Sequence, residues 1–251
     1  MKLKRTILFS CLVLSYLLFS YYALGGWWNS SFGTLLILLF SYLVWEKDFL
    51  KQTGLNVNLV TVGKSIVLAG ITALFAWLMM KYLATEQDIK ISFSHWKNYY
   101  HDVFYILNEE IVIGSFVLFA MVGKWKFSPL FASVLLAVFF ALTHFVFYKW
   151  IFLDKGNIAL LTLITLFLVG FVRNSLILQT GHIGYSWALH FGWIIVMFGS
   201  NHIYADTALK VSEYDRFNLY LGSTEMLFIG IIMSGLMLFL WRKKGPIIQI
   251  R

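Results

Sequence analysis

The sequence predicts an all-α, polytopic membrane protein, with about eight transmembrane helices in one bundle. Three observations predict it. Of 251 residues, 60% are hydrophobic and 13% charged, whereas an ordinary soluble domain is about 45–50% apolar and about 25% charged. The apolar excess is gathered into blocks near the ~20 residues that a spanning helix needs. Only two prolines, Pro129 and Pro246, punctuate the chain.

The blocks follow in order. Met1 to Arg5 is basic and precedes an apolar run from Thr6 to Leu24. That run exceeds the usual ~7–15-residue apolar region of a signal peptide, and no A-x-A site follows, so it reads as an uncleaved anchor. Further spans are predicted over residues 29–45, 62–84, 103–122, 129–151, 157–179, 183–203 and 223–241. Pro129 follows Ser128 at the start of the fifth block, where a missing N–H costs no helical hydrogen bond. The segment 85–102 mixes charge with Trp96, Tyr99 and Tyr100 and is expected as a loop at the head-group boundary. The other sizeable loop is 204–222. No internal repeat is visible.

The formal charge of +8 does not point to nucleic acid, because the basic residues lie between and beyond the apolar blocks. They read as topology signals and as contacts with anionic lipid head groups. With the N-terminus inside, twelve Lys and Arg fall on inner segments and seven on outer loops, so both termini are expected on the cytoplasmic side. The single cysteine, Cys11, excludes an intrachain disulfide and a Cys-only metal site.

Ten of the twelve Asp and Glu lie in loops or at helix ends. Glu109 and Glu110 lie inside a span, where a carboxylate costs about 2.5–3.5 kcal/mol on insertion scales. His144 and His190 are interior to two other spans, and Arg173 and Asn174 to a third. A lone intramembrane histidine is usually a packing residue. Their joint occurrence with a glutamate pair points to function. Adjacent helical residues diverge by about 100°, so one glutamate is expected to face the site and the other to be structural, with Arg173 as a candidate partner. Counted from the predicted helix limits, Glu109 and His144 lie about 9 Å, and His190 about 20 Å, from the same membrane edge.

Glu109-Glu110, then Phe140-x-x-x-His144, then Thr180-Gly181-His182 leading into the helix with His190 together resemble the CPBP family of intramembrane glutamic-type proteases, also called the CAAX protease and bacteriocin-processing, or Abi, family. The resemblance covers roughly residues 100–203, which it makes the catalytic core. Residues 1–99 are then variable N-terminal helices, and 204–251 a loop and last helix of the same membrane domain. The family pattern is Glu-Glu-x-x-x-Arg, Phe-x-x-x-His and His-x-x-x-Asn. This chain carries Gly114 at the Arg position and Ile194 at the Asn position.

The resemblance implies peptide-bond hydrolysis in the membrane. Glu109 would take a proton from water, His144 would assist, His190 would donate to the oxyanion and Glu110 would support Glu109. Asn108, Phe140, Arg173 and Asn174 are supporting candidates, and Asn201 is a further source of polarity. The implied mechanism is metal-free and needs no cofactor. The residue types alone also suit zinc, which accepts nitrogen and oxygen ligands. Other membrane-protease signatures are missing from the sequence: there is no His-Glu-x-x-His and no Gly-x-Ser-Gly, Tyr214-Asp215 lies in a loop with no Gly-x-Gly-Asp after it, and Cys11 has no nearby histidine. The expected partners are a membrane-associated peptide or protein substrate and the lipid bilayer, with no nucleic acid, in a bacterial cytoplasmic membrane. Two other readings stand beside this one. Gly114 and Ile194 motivate a non-catalytic scaffold of the same fold. Buried Glu and His also suit a proton-coupled transporter, although such transporters often show the internal repeats that are not seen here.

Overall fold

A computed structural model of the chain describes residues 4–5, 7–11, 14, 28–86, 90–93, 96–147, 160–197, 203–206 and 221–245. They are helical apart from turns and one two-stranded ribbon. The helices are α1 (Asn29–Trp45), a short α2 (Phe49–Gln52), α3 (Leu59–Glu86), α4 (96–123), α5 (Pro129–Phe147), α6 (Leu160–Thr180), α7 (Gly184–Met197) and α8 (Thr224–Lys244). Strand β1 (Lys90–Phe93) pairs antiparallel with β2 (Ile203–Asp206), with Lys90 opposite Asp206 and Phe93 opposite Ile203.

Among the described residues, four helices are long and apolar enough to cross a membrane: Leu59–Glu86, Tyr99–Gly123, Leu160–Thr180 and Thr224–Lys243. Pro129–His144 is a shorter apolar helix. The exposed surface agrees with that class. Ile66, Ile71 and Leu78 on α3 and Phe228, Ile232 and Phe239 on α8 are all more than half exposed, so these helices turn their apolar sides outward. The expected span over 6–24 lies mostly outside the described residues, as do 148–151, 157–159 and 198–202 at the ends of other expected spans.

α4 corrects one predicted limit. It starts at Trp96, seven residues before the expected 103. No Gly or Pro occurs between Trp96 and Ile113, so nothing in the local sequence breaks the helix. Lys97, His101 and Asp102 lower the hydropathy of its first turns, so the apolar run alone places the start too late. The rod is α-helical to Glu109, π-helical from Glu110 to Val117 and α-helical again from Leu118 to Gly123.

Two contacts fix the ends of the bundle. At one end the backbone N–H of Ile183 donates to the Gly54 carbonyl at 2.9 Å. Gly54 has φ +70° there, and a Cβ would meet Ile183 Cγ2 at 2.8 Å and Ser115 Cβ at 3.0 Å. The start of α7 is therefore docked on Gly54, which also touches Ser115 of α4. At the other end the ribbon joins the segment entering α4 to the segment leaving α7. Between these ends α7 packs closely along α3: a Cβ at Gly192 would collide with the Ala69 carbonyl oxygen. Pro129 opens α5 as expected, and Ser128 Oγ caps that helix by accepting the Phe131 N–H at 3.3 Å.

Candidate functional site

The geometry centres on Glu110, whose side chain is wholly buried. Three groups from two other helices converge on it. Ser186 Oγ, on α7, donates to Oε2 at 2.5 Å. His190, one turn further along α7, approaches Oε1 with Nδ1 at 2.9 Å. An ionised carboxylate only accepts, so Nδ1 carries the proton of that bond. Arg173, on α6, brings Nε to 2.7 Å from Oε1 as an ion pair, although its N–H does not point along a hydrogen bond.

The same guanidinium serves Glu109. Arg173 Nη1 lies 3.7 Å from Glu109 Oε1, and Nη2 donates to the Glu109 backbone carbonyl at 3.1 Å. Two adjacent glutamates thus share one cation from a facing helix. The π-helical segment that begins at Glu110 assists this. An i→i+5 turn holds more residues than an i→i+4 turn, so each residue swings the side chain through less than the ~100° of an α-helix. Gly114 supplies the room. A Cβ there would lie 3.1 Å from Arg173 Nη2, 3.1 Å from Glu110 Oε2 and 2.9 Å from Ile177 Cδ1.

Phe140 sits at the middle of the cluster. The Arg173 guanidinium carbon lies 5.0 Å from its ring centroid, the His144 ring 4.4 Å and the His190 ring 6.2 Å. His144 is one turn beyond Phe140 on α5, and its Nδ1 lies 2.7 Å from the Phe140 carbonyl. A carbonyl accepts, so Nδ1 holds the hydrogen and Nε2 is the basic nitrogen of the neutral ring. Glu109, His190 and Arg173 are the ionisable neighbours of His144.

The two glutamates differ in their surroundings. Glu110 has Ser186, His190 and Arg173. Glu109 Oε1 is buried without a hydrogen bond, although the side chain as a whole keeps 15% exposure. A buried acceptor without a donor costs about 1–3 kcal/mol. Among the described residues no three His, Cys, Asp or Glu side chains form a group able to hold a metal ion. The cation between the two carboxylates is the guanidinium of Arg173.

The structure therefore brings together Glu109, Glu110, Phe140, His144, Arg173 and His190. It places two supporting candidates elsewhere. Asn108 faces α1, where Nδ2 donates to the Ser30 carbonyl at 2.8 Å and Oδ1 accepts from Thr34 Oγ1 at 2.6 Å. Asn174 faces α5, where Nδ2 donates to the Ser133 carbonyl at 3.0 Å. Both asparagines are clamps between helices. Asn201 and the Tyr214-Asp215 pair lie outside the described residues. Ile194 is buried, 6% exposed, and brings no donor. Ser186 was not singled out by its residue type, but its spacing four residues before His190 puts both on one face of α7.

The expected mismatch in depth does not appear in the contacts: His190 Nδ1 reaches Glu110, the neighbour of Glu109, at 2.9 Å, and the His144 and His190 rings both lie against Phe140.

No protein-family model, curated protein or solved structure matches the chain.

Proposed function

We propose that the chain is an intramembrane endopeptidase of the CPBP type, which cleaves a membrane-associated peptide or protein with Glu109 as the base. One observation carries this reading. Glu109, a neighbour of His144, keeps 15% side-chain exposure, while Glu110 is wholly buried and fully engaged. A partly exposed carboxylate can accept from a water molecule. Glu109 takes the proton as that water attacks the carbonyl. His144, held by its Nδ1 bond to the Phe140 carbonyl, assists in orienting that water. His190, with Nδ1 committed to Glu110, donates from Nε2 to the oxyanion when the ring is protonated. Arg173 holds the two carboxylates in place.

The wider proposal has eight spans, with both termini on the cytoplasmic side of a bacterial cytoplasmic membrane. Its support is that helices crossing alternately put the Gly54–Ile183 contact and the ribbon at opposite ends. The test is purified protein against a library of membrane peptides. Glu109→Gln is expected to lower cleavage by about 10²–10⁴, with the fold kept. His190→Ala is expected to lower it by about 10²–10³. Cleavage at the parent rate in Glu109→Gln would overturn the assignment.

Ile194 and the saturated Glu110 favour a second reading, a scaffold of the same fold without turnover. It predicts that function in cells survives Glu109→Gln. Proton-dependent flux in liposomes, lost in the same variant, would instead identify a transporter.

A further inference from the structure

α4 is the only strongly amphipathic helix among those described. Asp102 and Asn108 are buried, but part of its polar side is open. His101 keeps 38% side-chain exposure and Tyr105 is 39% exposed. The two rings stack, with centroids 5.8 Å apart and planes at 16°. Glu109 follows one turn later with its 15%. Steps of four residues advance only about 40° around a helix, so the three side chains form one stripe from the ribbon end to the carboxylate. Asp102 lies beside it, 3.2 Å from His101.

The exposed positions of the other spans carry different chemistry. On α3 they include Ile66, Ile71 and Leu78. Polar and ionisable side chains within a span face the bundle interior or a water-filled cavity rather than acyl chains. The flanks of the stripe are also closed. α1 is bound on one side through Asn108, and α7 on the other, where Trp187 Nε1 donates to the Val103 carbonyl at 3.2 Å.

We propose that His101, Tyr105 and Glu109 line a hydrated groove between α1 and α7, through which water enters from the ribbon end. The proposal rests on the peptidase reading for its purpose, since it names the path of the co-substrate to the base. Its test does not involve catalysis.

Cys11, the only cysteine, is replaced by serine. Single cysteines are then placed at Tyr105, at His101 and at Leu78, and the protein is reconstituted in liposomes. Leu78 is a matched control, because it lies about 12 Å from its helix end and Tyr105 about 14 Å from Trp96. A charged, membrane-impermeant thiol reagent is applied from each side in turn. Tyr105→Cys and His101→Cys are expected to react about tenfold or more faster than Leu78→Cys, from the ribbon side only, because a thiol reacts as its solvated thiolate. Both at the rate of Leu78→Cys, in protein with an unchanged unfolding midpoint, would overturn the groove. So would reaction of His101→Cys alone, because the path would then stop short of Glu109. Fast labelling in a protein that cleaves no peptide retires the peptidase reading and leaves the groove standing. Cleavage without labelling does the reverse.

Discussion

The Arg173 guanidinium occupies space that a side chain at position 114 would require, with Nη2 3.1 Å from where a Cβ on Gly114 would stand. The pattern that the sequence resembles has an arginine at position 114, whereas here an arginine from α6 pairs with both glutamates. The missing side chain and the extra cation are two parts of one arrangement.

Gly114→Ala is therefore expected to push Arg173 and Ile177 apart. Overpacking of this kind costs about 1–3 kcal/mol. Thermal unfolding in detergent measures it, and an unchanged midpoint would show that the guanidinium has slack.

Removing the cation should cost more. Arg173→Met leaves Glu110 buried without its charge partner, an uncompensated charge worth about 3–5 kcal/mol. Adding Glu110→Gln should restore part of that loss, with a coupling above about 1 kcal/mol in a double-mutant cycle. Purely additive effects would mean that the pair contributes nothing.

Gly192→Ala tests packing without touching a charge. Its Cβ meets the Ala69 carbonyl oxygen, and Thr72 Cβ at 2.8 Å. Backbone cannot swing aside as a side-chain tip does, so α3 and α7 must separate. The expected loss is at least about 1–3 kcal/mol, read in the same unfolding assay. Any fall in cleavage should track the folded fraction.

His182 gives a pH prediction outside the spans. Burial holds its imidazole below the usual range, and its Nδ1 accepts the Gly184 N–H at 3.2 Å. The unfolded chain binds the proton more readily, so this contribution is full above the unfolded value near 6.5 and declines as pH falls toward the folded one. Parent and His182→Asn are compared at about pH 7.5 and about pH 5.5. The parent should lose more stability on acidification than the variant. An equal loss would assign the acid sensitivity to other groups.

Much of the site was legible because charge inside an apolar run is conspicuous. Glu109, Glu110, His144, Arg173 and His190 stand out by the cost of placing them in an apolar run. Phe140 came from the resemblance and lies amid them. Asn108 and Asn174 were misplaced because polarity marks a residue as expensive without saying which neighbour meets the expense. The start of α4 was missed for a related reason. Hydropathy falls where a helix turns a wet face outward, so a run from Trp96 with no breaker read as a loop. The ribbon involves too few residues, paired across too long a separation, to leave a pattern in sequence. Ser186 is a small hydroxyl with nothing unusual about it until Glu110 is set beside it.

The clamp at Asn108 bears on how the molecule can be cut down. A fragment limited to residues 100–203 would keep every group around Glu110 and still lack Ser30 and Thr34, leaving a primary amide stranded in oil. It would also lose Gly54, and with it the anchor for the hairpin that presents His190. The leading helices are thus structural walls of the chamber, and shortened expression products should be designed to retain them.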